Sequence, residues 1–201
     1  MHIGPAHGFQ VAAYRFGHTF IQSFIRRYNK NHEFIGEDPL HHFLKQPYMV
    51  YEPGKLDELI GGLLNTPIQN YDPYISKEIS NHLFQAPHER FGLDLPALNL
   101  QRSREHGVPG YNFYREWCGL GRANTFEDLA PLLQNNTAYL YSTLYKHPDD
   151  IDLWSAGISE QKLPGAVIGP TFACLIARHF SNLRYHRNRS NRLPSRKLST
   201  F

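Results

Sequence analysis

His18 is the one polar member of an apolar helical row made by Val11, Tyr14, Ile21 and Ile25. An imidazole in such a place is either a core histidine bonded to a carbonyl or a water, or a ligand aimed at a metal. A ligating imidazole needs an acceptor on its second ring nitrogen, which sets its tautomer and direction. Asn99 and Arg102 are also out of place. They share a helical face with Leu95 and Leu98, at spacing i, i+3, i+4 and i+7. The plain reading of that face is a partly exposed helix edge with local hydrogen bonds. The chemical reading is sharper. Asn99 can accept the proton of a ligating imidazole, and Arg102, one turn on, can pair with a carboxylate. An axial ligand, an apolar sandwich and a cation for carboxylates are the needs of a haem.

The other candidates are weaker. His41 and His42 are adjacent, so they cannot share one helix face, and no His-Glu-x-x-His spacing occurs. His2, His7, His32, His82, His88 and His147 read as surface residues. Cys118 and Cys174 exclude a Cys-only zinc site and a disulfide-dense scaffold. They leave open one disulfide or two buried thiols.

The elements that must position these residues read mostly as helices. Phe9 to Tyr28 has a wide apolar arc and is expected as one buried helix, with Arg26, Arg27 and Lys30 favoured near its C-terminus. Residues 29–54 hold three prolines and two glycines and read as loop with short helical pieces. Lys55 to Asn65 is a short helix stopped by Thr66-Pro67. Ser76 can cap another that reaches Gln85. Asp94 caps the helix that carries Asn99, with Pro96 in its first turn and Gly107 at its end. Helical pieces follow at Asn112 to Trp117, after the Thr125 to Asp128 capping box, at Ala138 to Lys146 and at Pro170 to Leu183. Strand alternation is poor throughout. The expected fold is an all-α domain over residues 1–183 with long irregular connections, then a basic, disordered tail over 184–201.

Composition narrows the classes. With 201 residues, 41% apolar and 13% aromatic, the chain can build a core and is no disordered polymer. It has no stretch of 18 apolar residues, and its first residues do not read as a signal peptide. The net charge of +3 comes from six basic residues after position 183. The remainder is mildly acidic, which argues against a nucleic-acid surface.

Two segments take the reading further. Tyr14-Arg15-Phe16-Gly17-His18-Thr19-Phe20-Ile21-Gln22 and the run from Phe91-Gly92-Leu93-Asp94-Leu95-Pro96-Ala97-Leu98-Asn99 through Arg102-Ser103-Arg104-Glu105-His106-Gly107 to Asn112 closely resemble the animal haem peroxidases. The resemblance extends from about Phe9 to Arg184. It implies an extracellular, haem-dependent peroxidase that binds haem b and uses hydrogen peroxide and an unidentified electron donor. It implies that His18 is the proximal iron ligand and that Asn99 bonds that ligand and assists catalysis. Arg102 would contact a haem propionate, and Leu93, Leu95 and Leu98 would line the pocket. It also implies a disulfide between Cys118 and Cys174, hence an oxidising compartment. The triplets Asn135-Asn136-Thr137 and Asn188-Arg189-Ser190 fit that compartment.

The departures matter as well. The family's distal catalytic residues, covalent haem attachments and calcium site lie before the first motif, where this sequence offers no match. The expectation is therefore a partial peroxidase domain: an incomplete product, a splice form or a truncated sequence, completed by a missing N-terminal segment. Two rival readings use no peroxidase turnover. One is an inactive haem-binding or adhesion protein on the same scaffold. The other is a polyanion-binding module built on the basic tail.

Overall fold

The computed structural model describes the backbone of residues 6–190 and the side chains of residues 7–184. His2 and residues 191–201 lie outside the described residues. Among the described residues the fold is all-α apart from one small hairpin.

Residues 9–28 do not form one helix. Helix α1 covers Ala6–Val11, a 3-10 helix follows over Ala13–Phe20, and the chain then extends into strand β1, Phe24–Tyr28. β1 pairs antiparallel with β2, Phe34–Pro39, within the stretch expected as loop. Two forces override the helical pattern. Aromatic and β-branched Phe24, Ile25 and Tyr28 favour a pleated surface. Charges then pair across the ladder. Arg26 faces Glu37 at 3.2 Å, and Arg27 reaches Asp38 and Glu58, both at 3.1 Å. The cations expected to serve a helix C-terminus serve the hairpin instead.

Two short 3-10 turns, Leu40–His42 and Pro47–Tyr51, lead to α2, Lys55–Asn65, which lies against β1. Gly62 permits that approach, because a Cβ there would collide with the Arg26 carbonyl. Ser76 caps the single turn α3, Lys77–Ser80, much shorter than expected. Asp94 caps α4, Leu95–Glu105, by accepting from Ala97 N at 3.0 Å. Gly107 ends α4 in the left-handed region at φ +60°, and Val108 N closes back on Ser103 O.

α5 is Tyr111–Trp117, and α6 is the turn Phe126–Leu129, opened by the Thr125/Asp128 capping box. α7 is Thr137–Leu144, α8 Leu153–Ser159 and α9 Pro170–Ser190. α9 therefore continues past Arg184, where a disordered tail was expected. Extending an existing helix needs no new nucleus, and arginine is a good helix former.

α8 sits in the middle of the core. Leu153, Trp154, Ala156 and Ile158 are buried, and α8 packs on α4, α5 and the 3-10 helix that carries His18. Three bonds fix the surrounding backbone. Trp154 Nε1 donates to Arg15 O, Tyr71 Oη to Gly157 O and Ser103 Oγ to Val11 O. Glu160 follows α8. Its carboxylate is wholly buried and accepts from Tyr111 Oη, Arg115 Nη1, Thr171 Oγ1 and Thr171 N. Cys118 and Cys174 form a disulfide between the end of α5 and α9, across a sequence separation of 56.

Two stability outcomes follow. Replacing both cysteines by serine should cost about 2–5 kcal/mol of unfolding free energy, read from urea denaturation midpoints. An unchanged midpoint would show that the cross-link constrains nothing. Gly157→Ala would drive a methyl into the Phe172 ring, so it should cost about 1–3 kcal/mol in the same assay.

Candidate functional site

Local sequence brings His18 to one wall. Thr19, buried, returns its hydroxyl to Phe16 O at 2.9 Å and tightens the 3-10 turn around His18. Phe16 and Phe20 pack on Tyr71, and the Trp154 bond pins the backbone at Arg15. α4 supplies the opposite wall. Its inward residues are Asn99 and Ser103, at 0% and 2% exposure.

Asn99 joins the two walls. Its Nδ2 lies 3.0 Å from His18 Nδ1, and its Oδ1 accepts from Arg15 Nη1 at 3.0 Å. A guanidinium can only donate, so Arg15 holds Oδ1 on its side and turns the amide NH₂ toward the imidazole. In this arrangement His18 Nδ1 accepts, and neutral His18 carries its proton on Nε2. Burial lowers the His18 pKa and the Arg15 charge lowers it further. The imidazole is therefore held toward its neutral form, the form that binds metals.

The charge around this group is one-sided. Burial and the neighbouring Arg102 charge both lower the Arg15 pKa. Among the described residues the Arg15 guanidinium bonds only Asn99 Oδ1 and Gln10 O, and Arg102 makes no side-chain ion pair or hydrogen bond. Arg15 thus stands beside the imidazole and Arg102 beside Arg15, with no carboxylate bonded to either guanidinium among the described residues. That electrostatic pattern suits an anionic ligand.

The expected leucines are distributed differently from the helical count. α4 buries Asn99 and Ser103, so the face with Leu98 and Arg102 is exposed, Leu98 by 38%. Leu95 is partly buried. Leu93 is 51% exposed and lines an open cavity of about 640 Å³ with Lys45, Phe84 and Phe91, whose walls do not include His18. The reason is packing. Asn99 has hydrogen-bond partners to meet across the chain, Arg15 and His18, and turning it inward leaves Leu98 at the helix edge.

Sequence reasoning placed His18 and Asn99 together but gave Arg15 no role. Its signal was present: a cation three residues before His18, inside an otherwise apolar segment. The Glu160 network was also missed, because a lone Glu after an apolar run carries no mark of burial.

The comparisons agree with this geometry at the level of family. The chain matches the animal haem peroxidase family over residues 1–192. Thyroid peroxidase of Sus scrofa is 39% identical over 200 residues, covering 91% of this chain and 22% of its own length. Peroxidasin of Drosophila melanogaster is 39% identical over 184 residues, covering 89% of this chain and 12% of its own. The solved peroxidase A of Dictyostelium discoideum superposes with a TM-score of 0.77 at 32% identity, over 88% of this chain and 34% of that one. The chain thus spans about a fifth of the length of the thyroid relative. A match over nearly all of its residues, on a fold shared with a solved peroxidase, makes this chain a member of the animal haem peroxidase family.

Proposed function

We propose that this chain provides the proximal half of a haem peroxidase site, with His18 as the iron ligand. The observation that supports it most is the buried Asn99 amide set against His18 Nδ1, with Nε2 left without a protein partner among the described residues. Bound haem b iron would supply the redox chemistry by which hydrogen peroxide is reduced and an electron donor oxidised.

The residues present fit that group, with one adjustment. Ligation through Nε2 needs the His18 proton on Nδ1, and an acceptor facing it. Asn99 provides that acceptor by turning its amide so that Oδ1 meets the imidazole. That turn points the amide NH₂ at Arg15, which can only donate, so Arg15 would have to release Asn99. His18, held neutral by burial and by Arg15, would need only to carry its proton on Nδ1 instead of Nε2 to offer Nε2 to iron. Asn99 supports the imidazole as it donates electron density. The exposed Leu98, the partly buried Leu95 and the more distant Leu93 offer apolar contact. Arg102 and Arg15 offer positive charge to carboxylates, and a bound anion would relieve the repulsion between them. The disulfide supports a further part of the reading, that the chain folds in an oxidising, extracellular or secretory compartment.

Titration of the purified chain with haemin tests the ligand. A Soret shift saturating at one haem per chain is expected for the native sequence and should vanish in His18→Ala. Equal binding by both would remove His18 as the ligand. Turnover of peroxide with a phenolic donor then separates an active fragment from a haem-binding one. Asn99→Ala should weaken haem binding by roughly 10- to 100-fold, the usual cost of losing a ligand's supporting bond. Asn99→Asp, which can only accept, should restore most of it. Unchanged affinity in Asn99→Ala would show that Asn99 has only a packing role.

A further inference from the structure

We propose that Asn135 is a glycan attachment site, at which the side-chain amide carries an N-linked oligosaccharide. The sequence Asn135-Asn136-Thr137 has the acceptor pattern, with no proline in the middle position. The structure presents it on a fixed, outward turn. Gln134 anchors the root of the turn, its N bonding Ser159 O at 2.7 Å and its Nε2 bonding Glu160 O at 2.6 Å. The bridge between Leu133 and Glu160 holds the same point. Thr137 returns its hydroxyl to Gln134 O at 2.7 Å and starts α7.

Between these anchors Asn135 takes a left-handed conformation at φ +52°, and its side chain is exposed and unbonded among the described residues. A cleft of about 250 Å³ opens beside it, lined in part by Phe126, Ser142 and the 62% exposed ring of Tyr139. An aromatic face next to hydroxyl and amide groups suits a sugar, whose C–H faces are apolar and whose rim is polar. The Cys118–Cys174 bond suits an oxidising compartment, of which the lumen where such transfer occurs is one.

The chemistry needs a polyprenyl-diphosphate-linked oligosaccharide as donor. Asn135 Nδ2 forms a bond to the anomeric carbon, the carbon–oxygen bond to the diphosphate breaks, and the amide releases one proton. The site is remote in sequence from His18 and Asn99, so glycan occupancy and haem binding are independent readouts.

The test is expression of the full chain behind a secretory leader in eukaryotic cells, with glycopeptide mapping of luminal and secreted protein. Occupied Asn135, converted to aspartate by peptide-N-glycosidase, is the expected result. Asn135→Asp keeps a residue that tolerates the left-handed turn and should lose the glycosidase-sensitive gel shift at this site. Thr137→Ser should retain the modification, whereas Thr137→Ala should lose it. Unoccupied Asn135 in chain recovered from the lumen overturns the proposal, whether or not Asn188 is modified.

Discussion

The Glu160 carboxylate is the buried charge around which this chain is organised. Removing a carboxylate from water is expensive, and it is tolerated only when its lone pairs are satisfied. Here four donors from three residues meet it, two of them on α5 and one on α9. Burial pushes the carboxyl pKa up, and the bonds from Thr171 and Tyr111 and the charge of Arg115 pull it back. The same carboxylate, with burial, drives the Tyr111 hydroxyl upward, so that phenol stays a donor. No one of these helices can shift without exposing an unmet polar group. The disulfide between α5 and α9 fastens the same pair of elements a second time.

α8 leads directly into Glu160, so its position is inherited from that network. The consequence reaches the candidate site through two contacts. Trp154 on α8 holds the backbone of Arg15, and Asp152 at its start takes a paired bond from Arg104 on α4. These carry the 3-10 helix and α4 to the separation at which Asn99 spans Arg15 and His18. A site that must hold an imidazole at a fixed angle benefits from walls fixed by buried polar bonds, which are directional, more than from apolar packing alone.

The proposed site would also account for an imbalance on the surface. Apolar Leu98 and cationic Arg102 face outward on α4 while polar Asn99 and Ser103 face inward. In a self-contained helix this would be inverted. Under the proposed haem-binding role, α4 would lie between the chain's own core and a ligand that is apolar with anionic edges. Arg15 then has two tasks, orienting the Asn99 amide and adding positive charge beside Arg102.

Local signals were legible in the sequence because their physics is local. The Asp94, Ser76 and Thr125 caps, the Gly107 stop and the breaks at Thr66-Pro67 depend on residues within a few positions of one another. The two peroxidase-like motifs named His18 and Asn99 as a pair. What the residues alone could not decide was every outcome set by distant partners. Phe24 to Tyr28 became a strand because Glu37, Asp38 and Glu58 were there to meet Arg26 and Arg27. Asn99 turned inward because Arg15, 84 positions away, and His18, 81 away, supply its bonds. Glu160 was buried because Tyr111, Arg115 and Thr171 converge on it. A short apolar run fits a helix or a strand equally by pattern, and a polar residue looks alike whether solvated or enclosed. Only tertiary packing shows which groups lose water, and therefore which must find each other.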